Sequence, residues 1–315
     1  MEAVVCTLFE GHYHYGVAAL TNSLFNNGFK GEIYAGYKGE LPIWANNAVD
    51  NDTITFENAK SLYFSEGVTI HFLPMKADVH FTNYKPQFAL DIFKNNSHIQ
   101  GLFYFDPDIV IKCNWRFFEK WITYGVAVVH EITNHDMAPN HPVRKEWEAI
   151  SLAHGYTVTN QLHSYINAGF FGLLSNSKDF LTLYNEFISI SENEFSADVL
   201  QLKFGLDRSE PFFARDQDAL NIAAMCCQTP LSEYGPEGMD FVHGGRLMSH
   251  AIGSPKPWKK NFLSSMFRGK GPTLADRAFW NNSTGIISIY KDSHIKYKKL
   301  TMKVSSYLTR FYKRH

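Results

Sequence analysis

The first 130 residues alternate between two kinds of segment, and this alternation restricts the fold more than any other feature. Ala3–Phe9 is an apolar run of strand length. Tyr15–Phe25 then carries Val17, Leu20 and Leu24 at helical spacing. Gly31–Tyr37 returns to a short β-like stretch. Strand, helix and strand in close succession predict a parallel pair joined by a crossover helix. Val68–Leu73, Leu102–Phe105 and Val126–Val129 are further strand-length runs, and Pro86–Phe93 reads as a helix with Pro86 in its first turn. The expected class is α/β, with a mixed, mostly parallel sheet and flanking helices. The second half is less regular. Tyr165–Leu173 is strand-like, Asp218–Cys227 helical, and Phe241–Gly245 a strand ending in a turn.

A chain of 315 residues with 45% apolar and 19% charged residues can bury a sizeable core, which excludes a disordered protein. Its four cysteines (Cys6, Cys113, Cys226 and Cys227) form no C-x-x-C pair, which predicts free thiols in a reducing compartment and no structural zinc. The N-terminal run lacks basic residues before it, and no run of about 18 apolar residues occurs, so neither a signal peptide nor a membrane span is expected. The expected location is cytoplasmic, with peripheral contact at the membrane inner face. A net charge of −1 argues against nucleic-acid binding, but the charge is unevenly placed. From Lys256 onward there are 14 Lys and Arg against two acids, net +12, and the remainder is net −13. A soft boundary at Trp258 separates an expected catalytic domain, 1–258, from a basic extension, 259–315. In the extension Tyr297, Leu300, Val304, Tyr307, Leu308 and Phe311 follow nearly helical spacing among Lys298, Lys299, Lys303, Arg310, Lys313 and Arg314. Such a helix suits an anionic membrane surface. It equally suits docking on the catalytic domain with a solvated basic face.

The sharpest local feature is Asp106-Pro107-Asp108, set between the apolar runs Phe103–Phe105 and Ile109–Ile111. In extended backbone, positions i and i+2 point to one side, so both carboxylates are expected to converge at a strand end. Two like charges there are costly unless a cation joins them, and hard oxygens suit Mg2+ or Mn2+. A plain turn, with Asp106 capping and Asp108 in water, fits the same residues. The second feature is His250-Ala251-Ile252-Gly253-Ser254-Pro255-Lys256-Pro257-Trp258. Imidazole can complete a manganese shell, Lys256 suits phosphate oxygens, and Gly253 lets backbone approach a ligand. A Pro-rich surface loop is the alternative. No G-x-G-x-x-G, P-loop or G-x-S-x-G sequence is present. His12 and His14, in an aromatic loop, read as solvated residues rather than ligands, and His243 as a packed residue at a strand end.

Taken in order, Asp106-Pro107-Asp108, Asn167-Ala168-Gly169, Asp216-Gln217-Asp218-Ala219-Leu220-Asn221 and His250-x-x-Gly253-x-x-Lys256-Pro257-Trp258 resemble the D-x-D, N-x-G, D-Q-D-x-L-N and H-x-x-G-x-x-K-P-W segments of family 8 glycosyltransferases. The resemblance spans roughly residues 3–258. It implies a GT-A fold, a nucleotide-sugar donor that is most often UDP-linked, and retention at the anomeric carbon. It also implies Mn2+ or Mg2+ held by Asp106, Asp108 and His250, with Lys256 on the diphosphate. Asn167, Gly169, Asp216 and Gln217 would line the donor-sugar and acceptor pocket. Asp216, Gln217 and Asp218 are the candidates for stabilising a cation-like anomeric carbon. Asp216 as a helix cap and Asp218 in the first helical turn is the competing structural role. The stretch Thr7 to Tyr15 departs from the family pattern; Thr7, Glu10 and Tyr15 are the donor-binding candidates there, and Lys85 stands in for a basic residue on the diphosphate.

The expected activity is a metal-dependent hexosyltransferase building a surface polysaccharide or glycolipid, with a saccharide or lipid-linked acceptor. Two other classes fit part of the pattern. A sugar-nucleotidyltransferase shares the α/β plan but carries a Gly-rich basic loop after its first strand, unlike Leu8-Phe9-Glu10-Gly11-His12. A non-catalytic nucleotide- or carbohydrate-binding protein would keep the fold without turnover.

Overall fold

The computed structural model describes residues 1–64, 67–76, 78–132, 136–195, 207 and 209–311. In chain order the strands and helices are β1 (Ala3–Glu10), α1 (His14–Asn26), β2 (Gly31–Lys38), β3 (Val49–Asp50), β4 (Lys60–Phe64), β5 (Val68–Pro74), α2 (Phe81–Asn95), β6 (Gly101–Phe105), β7 (Ile109–Ile111), α3 (Trp115–Trp121), β8 (Val126–His130), α4 (Pro142–Ala153), β9 (Ile166–Leu174), α5 (Lys178–Phe195), α6 (Arg215–Cys226), β10 (Leu231–Tyr234) and β11 (Met248–His250). Helices α7 (Phe262–Phe267), α8 (Leu274–Asn281) and α9 (Asp292–Leu308) follow.

Among the described residues nine strands form one sheet in the order β10-β8-β9-β6-β1-β2-β5-β4-β3. β6, β1, β2 and β5 are mutually parallel, and only β9 and β4 run against the rest. This is the expected mixed, mostly parallel α/β sheet. The period of two along each strand divides the side chains between two cores. Val4, Cys6, Leu8, Leu102 and Tyr104 enter the core that holds α2, α5 and α6. Val5, Phe9, Phe103 and Phe105 enter the core beneath α1 and α3. Both faces are covered, which is why these strands read as unbroken apolar runs rather than alternating ones.

The chain leaves β6, turns at Asp106–Asp108 and continues as β7, which pairs antiparallel with β11 in a separate ribbon. In that ribbon His250 lies opposite Ile109, and the Ala251 N–H donates to the Asp108 carbonyl at 3.0 Å. The ribbon therefore carries His250 across the chain to the acids. α1 approaches the same turn closely. A Cβ added at Gly16 would sit 1.9 Å from the Pro107 carbonyl oxygen.

Three expectations change. Helix α2 begins at Phe81, capped by the His80 ring accepting from the Thr82 N–H at 3.3 Å, so Pro86 lies inside the helix and not in its first turn. Phe241–Gly245 is turn and bend, with His243 exposed rather than packed at a strand end. The strand falls later, at β11, because pairing with β7 selects it. Helix α6 begins at Arg215 with Ala214 as its cap, earlier than the apolar spacing indicates.

The extension after Trp258 packs on the domain through a third core of Ala19, Val110, Trp258, Phe262, Phe279, Trp280, Ile295 and Met302. Asn22, fully buried on α1, donates to the carbonyls of Asn282 and Ile287 and accepts from the Ile287 N–H.

Replacing Gly16 with Ala forces the new methyl into backbone that cannot yield, so we expect a loss of at least about 1–3 kcal/mol. Gly271→Ala, whose nearest new neighbour is the Thr309 hydroxyl at 3.1 Å, should lose far less. Equal melting temperatures for the two variants would show that the α1 contact is not as tight as described.

Candidate active site

The carboxyl end of β6, the amino end of the antiparallel β9 and the N-terminal turn of α6 meet at the carboxyl-terminal edge of the parallel strands. Asp106 and Asp108 converge there, but by a different geometry from the one expected. The Ile109 N–H donates to the Asp106 carbonyl at 3.0 Å, closing a four-residue turn with Pro107 at its second position. That position favours proline, whose φ is already set. A turn, not a continuing strand, brings the acids together.

Asp106, Asp108 and His250 each offer one ligand atom, all within 4.8 Å of one another. His250 Nε2 lies 3.3 Å from Asp108 and 3.8 Å from Asp106. Two carboxylate oxygens and an imidazole suit Mn2+ or Mg2+, and the three residues can hold such an ion. The other ring nitrogen of His250, Nδ1, is buried without a partner. Gly169 explains how this ring fits, since a Cβ at 169 would lie 2.5 Å from His250 Cε1. Gly169 thus makes room for the histidine, and its carbonyl accepts from the Asp106 N–H at 2.7 Å.

Charge balance governs the rest. Two unit charges about 4 Å apart repel by roughly 4 kcal/mol at an effective dielectric near 20, more than a hydrogen bond returns. Two lysines oppose that repulsion. Lys85, 2% exposed, reaches Asp106 at 3.1 Å, Asp216 at 3.2 Å and the Ala168 carbonyl at 3.0 Å. All three of its N–H donors are used. Lys85 therefore bridges two carboxylates, where the expectation had it free to meet a diphosphate. Its burial disfavours the charged form, but Asp106 and Asp216 outweigh this and raise its pKa. Lys256 donates to Asp108 at 2.5 Å and to the Ala251 carbonyl at 2.8 Å, over the face of Tyr13. Burial works against ionising Asp108 as well, yet His250 and Lys256 hold its carboxyl well below the usual range.

Beside these groups lies a cavity of about 380 Å³. Its walls include Glu131, Asn167, Asp216, Gln217, His141 and Trp147. Asn167 Nδ2 donates to Glu131 at 2.5 Å, and its Oδ1 accepts from the Gly169 N–H at 2.8 Å. Gln217 Oε1 accepts from the Ala168 N–H at 3.1 Å. A carboxylate- and amide-lined hollow with an aromatic wall suits a polyhydroxyl ligand.

Asp218 separates from its neighbours. It is buried, accepts from the Tyr165 hydroxyl at 2.6 Å and from the Ala214 N–H at 2.7 Å, and so closes the start of α6. The structural role foreseen for it is the one observed, at the wall of the same cavity, whereas Asp216, which also lines the cavity, pairs with Lys85 instead of capping. Burial lifts the Asp218 carboxyl to about 8.

The first-strand candidates lie outside this cluster. Thr7 is fully buried with its hydroxyl unpartnered. Glu10 lines a separate hollow with Lys38, Val79 and His80. Tyr15 stacks on Tyr290 of the extension at 5.3 Å. Gly253 has φ +78° in an open loop, a conformation that favours glycine. His12 accepts from the Trp258 indole at 2.8 Å and His14 from the Trp44 indole at 3.2 Å, so both are tied to tryptophans rather than solvated. Glu131 escaped sequence reasoning. Its signal was available: like Asp106, it is an acid directly beyond a buried strand.

No protein-family model matches the chain, and no curated protein matches it. Among solved structures, the glycosyltransferase GlyE of Streptococcus pneumoniae TIGR4 is similar in fold, with a TM-score of 0.50 and 12% identity over 96% of this chain. The apo structure of the bifunctional glycosyltransferase WbbM gives a TM-score of 0.49 and 13% identity over 89% of this chain. The chain spans 64% and 51% of the lengths of those two chains.

Lys85→Met should cost about 3–5 kcal/mol, because Asp106 and Asp216 then face each other without a cation. Asp216→Asn in the same chain should restore part of that loss. Denaturant melts of the three variants decide it, and no rescue would mean that packing rather than charge is lost. Asp218 gives a second expectation. An unfolded aspartate releases its proton near pH 4, whereas the folded one keeps it to about pH 8. Asp218 therefore makes folding less favourable as pH rises across that window. The stability advantage of wild type over Asp218→Asn should shrink between pH 5 and pH 8 by chemical denaturation; a constant gap would place its titration at ordinary values.

Proposed function

We propose that this chain is a metal-dependent glycosyltransferase. In this reading it moves a sugar from a nucleotide-sugar donor, UDP-linked, to a carbohydrate or glycolipid acceptor with retention. The observation that carries it is the meeting of Asp106, Asp108 and His250 at the sheet edge, with Lys256 beside them and the carboxylate-lined cavity adjoining. A fold shared with GlyE supports the same reading.

A divalent cation held by Asp106, Asp108 and His250 would supply Lewis-acid neutralisation of the donor diphosphate. The chain's own groups then divide the work. Lys256 opposes the negative charge that grows on the leaving diphosphate, and this contact strengthens as the C1–O bond breaks. Asp216 and Gln217, on the first turn of α6, stabilise positive character at the anomeric carbon. Asn167 is held by Glu131 and orients the sugar hydroxyls. Lys85 keeps Asp106 and Asp216 apart in charge and fixed in position. The hollow at the end of β1, with Glu10, Lys38 and His80, receives the nucleoside.

The test is turnover of UDP-sugars with Mn2+, measured as UDP release, for wild type, Asp106→Ala and Asp108→Ala. Loss of roughly a hundredfold or more in both variants is expected. Undiminished release would remove the metal role. Calorimetry with UDP distinguishes the remaining case: Mn2+-dependent binding with no turnover on any acceptor would make the chain a binding protein.

A further inference from the structure

Helix α9 presents three stripes. Ile295, Thr301, Met302 and Ser305 are buried against α7 and α8, and the Ser305 hydroxyl donates to the Phe262 carbonyl. On another side Tyr297, Leu300, Val304, Tyr307 and Leu308, continued by Phe311, stand in solvent at 36–70% exposure. The apolar stripe visible in the sequence is therefore not the face that docks. Between the two run Lys296, Lys299 and Lys303, continued by Arg310.

A cavity of about 430 Å³ opens along this basic stripe, between α8 and α9. Arg277, Lys299, Lys303 and Arg310 line it with Met302 and Tyr307, and no carboxylate is among its walls. Arg277 donates to the Ser306 hydroxyl at 2.9 Å, which aims it along the groove. Among the described residues none of these four cations forms a salt bridge. The nearby acid Asp276 is buried and already paired with Lys260 at 2.7 Å. Lys313 and Arg314 lie outside the described residues.

Exposed aromatic and aliphatic side chains beside unneutralised cations match one surface in charge and polarity, an anionic lipid bilayer. Among the described residues no helix is long and apolar enough to cross a membrane, so contact would be from one side. We propose that α8 and α9 form a bilayer-docking face. The stripe Tyr297, Leu300, Tyr307 and Phe311 enters the headgroup–acyl boundary, and the groove of Arg277, Lys299, Lys303 and Arg310 receives lipid phosphates. The groove shares no lining residue with the cavity of the candidate active site, and the proposal holds whether or not the chain transfers sugar.

The full chain is sedimented with vesicles of phosphatidylcholine mixed equally with phosphatidylglycerol, and with phosphatidylcholine alone. Pelleting only with the anionic vesicles, weakened by salt, is expected. Lys299→Gln with Lys303→Gln should lower partitioning roughly thirty-fold. Leu300→Ser with Tyr307→Ser should lower it comparably, and because all these side chains are on the surface, melting temperatures should hold. Absence of pelleting, or equal pelleting with both vesicle types, overturns the proposal. So does a melting shift with inorganic phosphate in a chain that ignores vesicles, which would make the groove a free-anion site. A dimer dissolved by Leu300→Ser with Tyr307→Ser in ultracentrifugation, without vesicle binding, would assign the stripe to a second copy instead.

Discussion

The structure depends on keeping several carboxylates close together at the edge of a hydrophobic sheet. Asp106, Asp108 and Asp216 converge on a few ångströms of space, where their mutual repulsion exceeds what ordinary hydrogen bonds return. Lys85 from α2 and Lys256 from the loop after β11 answer that repulsion from two directions. His250 adds a third group from the ribbon. The supporting elements follow from this need. β11 must pair with β7 to deliver the histidine, Gly169 must lack a side chain to admit its ring, and α2 must bury an ammonium. The price is a cluster that is intolerant of losing any one charge.

That balance has a chemical meaning. In the proposed function, this compensated negative charge beside a polar hollow would meet a ligand carrying its own anionic and polyhydroxyl parts. Lys85 is wholly committed to three protein acceptors, whereas Lys256 makes two such bonds and is 15% exposed. The two lysines are therefore not equivalent: one has every donor used and the other keeps one.

Much of this was legible in the residues, for identifiable reasons. Ala3–Phe9 and Leu102–Phe105 read as strands because a sheet covered on both faces leaves no polar alternation to obscure them. Asp106-Pro107-Asp108 read as a convergence point because proline restricts the backbone there, although the turn that achieves it depends on a hydrogen bond no pattern displays. Lys85 and Glu131 were harder. The ammonium of Lys85 is defined by carboxylates 21 and 131 residues away, and only tertiary packing shows that it bridges them. Phe241–Gly245 looked like a strand by composition, but β7 offered its pairing edge to Met248–His250. Likewise the spacing of Tyr297 to Phe311 revealed a helix but could not reveal which of its sides was inward.

Helix α1 joins features that composition kept apart. At one end Gly16 touches Pro107; further along, the Ser23 hydroxyl accepts from the Ile111 N–H at 3.0 Å; between them Asn22 holds the segment around Ile287. The change in charge near Trp258 is thus a frontier in chemistry but not in mechanics. Removing the chain beyond it would strand a buried carboxamide with three hydrogen bonds unmade, nearly two turns of helix away from the glycine that touches the backbone carrying the acids.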